Sequence, residues 1–382
     1  MSILFRVLPL GQRIVTRVKP EASLQPLEQL KSLREQVEAE LQDFLTAQSN
    51  YFTSIAPELK PAATSLSAFV INGGKRFRPL FAAVGAIGAG SNLSQSEIRA
   101  FSSLELLQAC ALVHDDLMDA SDTRRGEPAI HKLFESMHSA EKYQGSATQF
   151  GLSASVLIGD LALIWSDQML NSSGISKDSL LAALSVHDEM RVELIAGQYL
   201  DVFEQARGTQ SVAQALNIAR YKSAKYTIER PLHLGAAIAM PDATKRAQIV
   251  SIYSEFGLPL GEAFQLRDDL LGVFGDPKVT GKPAGDDLRE GKHTVLMAMT
   301  HDRISGAAEA EFMQQFGNHD ISESAIARLQ EIISETGAAM HVEDLIEELT
   351  STALEALNRD EIVPQARELL TEMAIIATKR NM

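Results

Sequence analysis

The chain has 382 residues, 45% apolar side chains and a formal net charge of −15. That balance argues against nucleic acid as the main partner and fits a soluble cytoplasmic protein. The single cysteine, Cys110, excludes an intrachain disulfide and lends no support to secretion. No apolar run is expected to reach membrane-spanning length, so no stable membrane insertion is expected.

The length exceeds the usual single domain, yet no linker interrupts it. Residues 1–20 are expected to be a flexible basic extension, with Arg6, Arg13, Arg17 and Lys19 set among Ile3, Leu4, Phe5, Val7 and Leu8. The weighed alternative is a targeting or membrane-touching segment. It lacks a clean apolar core and cleavage site, and Pro9, Gly11 and Pro20 interrupt any helix. Residues 21–382 are expected to form one all-α domain, a large helical bundle.

From Leu24 the chain reads as helix after helix. Leu27, Leu30, Leu33, Val37, Leu41 and Leu45 form a helical stripe. A break is predicted over 51–61 and a helix over 63–72, followed by Gly73 to Pro79, which reads GGKRFRP. Ser94 and Glu97 form a capping-box pair that opens the next helix, running to about Asp119. Its polar residues Glu105, Gln108, Asp115 and Asp119 share one face, as on a helix lining a polar cavity. Further helices are predicted over 154–170, 179–201, 212–239 and 245–271. On the last, Glu255, Glu262, Gln265 and Asp269 repeat the polar stripe. A glycine-rich charged loop follows through Lys278, Gly281, Lys282 and Gly291 to Lys292, then helices starting near Asp320 and at Pro364. No alternating pattern long enough for a trusted strand is present.

Two acidic clusters carry the chemistry. Asp115, Asp116 and Asp119 end one apolar helix, just before Arg124 and Arg125. Asp268 and Asp269 end another. Carboxylates crowded on apolar helices resist burial unless a cation sits with them. Hard oxygen ligands suit Mg²⁺, which is often held by a few carboxylates together with substrate phosphates.

In order along the chain, GGKRFRP, Asp115-Asp116-x-x-Asp119 with Arg124-Arg125-Gly126, Gly197-Gln198-x-x-Asp201, Lys222-Ser223-Ala224, and Phe264-Gln265-x-x-Asp268-Asp269 with Thr280-Gly281-Lys282 resemble the trans-isoprenyl diphosphate synthases, closest to geranylgeranyl diphosphate synthase-like members. The resemblance implies a Mg²⁺-dependent prenyltransferase, usually a homodimer. An allylic diphosphate ionises, the cation alkylates isopentenyl diphosphate, and the released diphosphate removes a proton. By correspondence, Asp115, Asp116, Asp119, Asp268 and Asp269 hold several Mg²⁺ ions. Arg124, Lys222 and Lys282 attend the leaving diphosphate. Lys75, Arg78, Arg125 and Gln108 clamp the second substrate, with Lys292 closing over the site. Ser223 and Gln265 face the cation.

The sequence departs from the family at Gly272, where many members have a third Asp of the second cluster. Asp276 and Asp286 are the candidates to replace it through metal-bound water. In the family, bulky aromatics at the positions of Cys110 and Ala111 stop chain growth early. Both are small here, so a C20 product is expected, with Leu107 as the floor and C15 or C25 and longer as alternatives. Other readings are a terpene cyclase, an inactive partner subunit of the same fold, and an HD-type phosphohydrolase suggested by His114-Asp115. The last would need further histidine ligands at suitable spacing.

Overall fold

A computed structural model describes residues 24–208, 211–276 and 285–379. The expected basic extension, Lys282 and the rest of the glycine-rich segment over 277–284 lie outside the described residues.

The fold is all-α. Helix α1 (Leu24–Ile55) buries Leu30, Leu33, Val37, Leu41, Phe44 and Leu45 on one face, the stripe legible in the sequence. The break expected over 51–61 is narrower. Only Ala56 is extended, and the chain re-enters a 3₁₀ turn (Pro57–Leu59) and α2 (Lys60–Ile71), where Pro57 and Pro61 occupy first-turn positions that need no N–H. Helices α3 (Phe77–Gly88) and α4 (Gln95–Met118) follow. The capping box forms as expected: Glu97 N–H donates to Ser94 Oγ at 3.3 Å, and Ser94 N–H donates to Glu97 Oε2 at 2.7 Å.

The only strands among the described residues are the two-residue pair β1 (Thr123–Arg124) and β2 (Glu127–Pro128). Beyond them lie α5 (Ile130–Ala140), α6 (Ala147–Asn171) and α7 (Lys177–Arg207). α4 packs against α1, α3 and α6, so it is buried almost all round.

The helix expected over 212–239 is three elements: α8 (Val212–Ala219), a ten-residue π-helix (Arg220–Glu229) and α9 (Arg230–Ala239). Apolar spacing does not separate a 3.6-residue turn from a slightly wider one over so short a segment. α10 (Ala243–Phe274) extends past its predicted limits. The chain resumes with α11 (Asp286–Glu290), α12 (Val295–His301), α13 (Gly306–Gln315), α14 (Glu323–Glu335), α15 (Ala338–Ala356) and α16 (Pro364–Thr378). The helix expected to open near Asp320 opens at Glu323, with the hydroxyl of Ser322 accepting from Ala325 N–H.

Two apolar clusters fill the interior. The larger joins α1 to α7, α9 and α16, and includes Leu260 and Phe264 of α10. The smaller joins α12, α14 and α15 to Leu266, Leu270 and Val273 of the same α10. α10 thus belongs to both.

One expectation is corrected. α6 is long and apolar enough, by length and composition, to cross a membrane, with a mean hydropathy of 1.5 over its most apolar window. No unbroken apolar run flags it, because Asp160, Ser166 and Asp167 are spread among its apolar residues. In this fold it packs on α4 and α5, and 28% of that window is buried.

Four histidines are buried among the described residues, His131, His138, His187 and His233, and the last two lie deepest. Burial, with Arg191 adding to it, pushes His187 down to about 4, against the opposing carboxylates of Asp167 and Asp188. Burial and then Arg230 push His233 down to about 3. The unfolded chain therefore binds more protons than the folded one between those values and the ordinary histidine value of about 6.5. Stability is expected to be full above about 6.5 and to fall on acidification below it, by up to about 1.4 kcal/mol per pH unit for each imidazole. Urea unfolding between pH 7 and pH 4.5 measures this, and the slope should flatten in His187→Leu.

Candidate active site

A cavity of about 1360 Å³ opens between the α2–α3 turn, α4, α7, the π-helix, α10 and the segment around α11. Each wall is set by a local feature of the sequence. Gly73 and Gly74 turn the chain with φ of +87° and +95°, conformations that few other residues adopt. The side chain of Arg125 lies against both and donates to the carbonyl of Asn72 at 2.7 Å. Lys75, from the same turn, and Arg78, from the first turn of α3, line the cavity. Arg78 donates to Thr227 Oγ1 at 2.7 Å, and its guanidinium lies 4.3 Å from the Tyr226 ring centroid. Arg76 is turned differently. It is buried and ion-paired to Glu105 at 2.7 Å, so this arginine and the first acid of the α4 stripe anchor the turn to α4.

The α4 wall is made by Gln108, Ala111, Leu112 and Asp115. Gln108 Oε1 is buried with no hydrogen-bond partner among the described residues. Of the three positions expected to set chain length, only Ala111 lines the cavity. Leu107 and Cys110 are buried behind it, and Cys110 Sγ lies 3.7 Å from His114 Nδ1. Burial pushes that thiol up to about 12, so it is not a nucleophile.

Asp115 is the hub. Lys222 Nζ lies 3.0 Å from Asp115 Oδ1 and 2.6 Å from Asp201 Oδ2. Gln198 Nε2 donates to Asp115 at 3.0 Å. Burial alone would raise the Asp115 carboxyl, but the cations of Lys222, Lys292 and Arg124 hold it well below the usual carboxylate range. Asp116, one position on, is buried and accepts from Arg124 Nε at 2.8 Å and from a terminal nitrogen of the same fork. Asp119 faces Lys292 Nζ at 3.1 Å, and Lys292 also meets Glu290 at 2.8 Å. Burial, only partly countered by Lys292, raises the Asp119 carboxyl.

Across the cavity, α10 presents Gln265, Asp268 and Asp269. Gln265 Nε2 donates to Asp269 Oδ1 at 2.7 Å, while burial and the nearby Asp287 carboxylate raise Asp269 well above its ordinary value. The expected α10 stripe reaches the cavity only at this end. Glu262 is paired with Arg220 at 2.7 Å, and Glu255 with Arg359 on the outer surface.

Several site residues were not assigned from sequence. Gln198 and Asp201, whose chemistry the motif left open, are bound into the Asp115–Lys222 network. Asp287 was missed altogether. Its Oδ2 lies 2.0 Å from the point where a Cβ on Gly272 would stand. Asp276 also lines the cavity, whereas Asp286 does not. The Gly272–Asp287 proximity has no short-range signal, because it depends on how α11 docks onto α10.

Oxygen donors dominate both acidic walls, which suits a hard cation. Among the described residues no three acidic, histidine or cysteine side chains converge on one metal position.

The family model described as "Polyprenyl synthetase" matches residues 60–333. The geranylfarnesyl diphosphate synthase of Aeropyrum pernix is 32% identical over 84% of this chain and 93% of its own. The geranylgeranyl diphosphate synthase of Sulfolobus acidocaldarius is 27% identical over 85% and 93%. The crystal structure of geranylgeranyl pyrophosphate synthase from Corynebacterium glutamicum, complexed with isoprenyl diphosphate and magnesium, is 42% identical, covering 92% of this chain and 99% of its own, with a TM-score of 0.88.

The buried Arg124–Asp116 pair makes a test independent of turnover. Arg124→Leu leaves Asp116 buried and short of its main cation, so unfolding stability should fall by about 3–5 kcal/mol. The Asp116→Asn/Arg124→Leu double variant should recover much of that in urea melts.

Proposed function

The chain belongs to the polyprenyl synthetase family and is a chain-elongating prenyltransferase; from that premise we propose that it condenses an allylic diphosphate with isopentenyl diphosphate to give geranylgeranyl diphosphate, C20. The observation that carries the site assignment is the facing of Asp115 on α4 with Asp268 and Asp269 on α10 across one cavity that Lys75, Arg78 and Arg125 also line.

In this reading the C–O bond of the allylic substrate breaks with its electron pair going to diphosphate. The allylic carbon then bonds the terminal alkene carbon of isopentenyl diphosphate, and a proton passes to the released diphosphate. Charge grows on the leaving group, so fixed cations aimed at it lower the barrier. Arg124 and Lys222, both lining the cavity, take this role, with Lys282 added by family correspondence. Mg²⁺, held by Asp115, Asp119, Asp268 and Asp269 with Asp116 supporting Arg124 behind them, supplies Lewis-acid charge on the diphosphate oxygens when bound. Lys75, Arg78, Arg125 and Gln108 receive the diphosphate of the second substrate, and arginine forks match its oxygens. Lys292 closes the edge of the site. Ser223 and Gln265 turn polar dipoles towards the cation in a cavity also lined by Ala111, Leu194 and Tyr226.

Asp287 takes the place of the family's third acid in the second cluster, because its carboxylate fills the space above Gly272. Asp287→Asn should therefore raise the Mg²⁺ concentration for half-maximal rate by about tenfold, as loss of a supporting carboxylate commonly does. An unchanged Mg²⁺ requirement would remove Asp287 from the metal site.

The reading extends to assembly. Leu157 and Ile164 of α6 and Val192, Ile195 and Tyr199 of α7 are all at least 60% exposed. Their spacing forms helical stripes, and Arg191–Asp167 at 2.8 Å joins the two helices. A second copy of this chain covers that face, giving a homodimer in the cytoplasm. The same proposal takes 21–382 as one domain, supported by α10 entering both apolar clusters.

Product length is read by supplying Mg²⁺, isopentenyl diphosphate and C5, C10 or C15 allylic starters, then sizing the dephosphorylated alcohols. C20 is expected. Ala111→Phe should shorten the product to C15, and an unchanged distribution would overturn the role given to Ala111.

A further inference from the structure

The π-helix Arg220–Glu229 is unusual in length, since most π segments are a single turn inside an α-helix. It carries Lys222, Ser223, Tyr226 and Thr227, all facing the cavity. A π turn is wider than an α turn, so its neighbours must make room. They do so with glycines on both sides.

Gly197 of α7 lies against the backbone at Lys222. A Cβ there would stand 2.3 Å from Lys222 N and 2.7 Å from Lys222 Cα. Gly261 of α10 lies against the next turn. A Cβ there would stand 2.5 Å from Ala224 Cα and 2.6 Å from Ala224 O. In both places the two nearest obstructing atoms are main chain, which cannot swing aside as a side-chain end can.

We propose that Gly197 and Gly261 are positioning residues for the transfer reaction: two notches, one on each flanking helix, that seat the wide turn and so place the Lys222 ammonium between Asp115 and Asp201. The inference rests on the role given to Lys222 above. The packing geometry holds independently of that role. The Lys222 side chain is ion-paired at 3.0 Å and 2.6 Å, and the atoms a methyl at 197 would strike are the backbone atoms from which that side chain springs. Gly197 also precedes Gln198, which donates to the same Asp115 oxygen. One substitution would therefore disturb both contacts to that carboxylate. A plain packing glycine would behave otherwise. Gly85 of α3, where a Cβ would stand 2.7 Å from the Leu232 carbonyl oxygen of α9, is such a glycine and serves as the comparison.

The test uses the full chain with Mg²⁺, isopentenyl diphosphate and an allylic diphosphate. A displacement of about 1 Å at a charged catalytic group costs on the order of 10²-fold in rate. Gly197→Ala and Gly261→Ala should each lose about 10²-fold in kcat, with KM for isopentenyl diphosphate within about threefold of wild type. Gly85→Ala should lower the melting temperature and leave kcat of the folded protein unchanged. In a Lys222→Ala background the Gly197→Ala change should add no more than about threefold, because both act through one group. A full, multiplicative loss there would overturn the proposal, and so would an unchanged kcat in a folded Gly197→Ala protein. If neither glycine variant folds, the glycines are folding determinants only and the proposal falls. Wild-type protein without Mg²⁺-dependent elongation would instead overturn the reaction assigned to the site, an outcome distinct from these.

Discussion

The structure depends on how a buried helix carries ionised acid. α4 is enclosed by its neighbours, yet its last turn holds Asp115 and Asp116 and its C-cap is Asp119. Charges so placed are tolerable only if each is answered. Asp115 is answered by Lys222, with Arg124 and Lys292 adding to it; Asp116 by Arg124; and Asp119 by Lys292. Those cations come from the π-helix, from the short β pair and from the segment after α11. The acids thus bind three stretches of chain, two of them distant in sequence, to one helix end. Any ligand that brings its own cations enters a network already tuned for positive charge.

Much of this was legible in the sequence, because the signals are local. The α1 stripe and the Ser94–Glu97 cap need only periodicity and hydrogen-bonding rules, and both form as expected. The acidic helix ends and the GGKRFRP turn are short motifs whose residue types state their chemistry. The cavity brings most of those residues together: Lys75, Arg78, Gln108, Asp115, Lys222, Gln265 and Asp268 among them.

What was not legible depends on tertiary placement. The polar stripe on α10 was overread, since Glu255 and Glu262 answer surface and α8-side arginines and leave only the C-terminal end for the cavity. Cys110 and Leu107 are near Asp115 in sequence but sit behind the cavity wall, because only one face of a helix can line it. Asp287 is fifteen residues beyond Gly272, and only the docking of α11 brings them together. The apolar character of α6 was masked by aspartates that a residue-by-residue scan weighs more heavily than an average does.

The sharing of α10 between two apolar clusters has a mechanical consequence. Phe264 packs with the body that contains α4, whereas Leu266 and Leu270, on either side of Asp268 and Asp269, pack with α12, α14 and α15. The two acidic walls are therefore fastened to different packing units, and the gap between them is a difference between two positions. Volume changes at the α14 and α15 residues of the smaller cluster, such as Leu329 and Val342, which do not line the cavity, would open or narrow that gap without touching a charged residue. The spacing of the acids is thus a property of the whole bundle, adjustable from its remote C-terminal third.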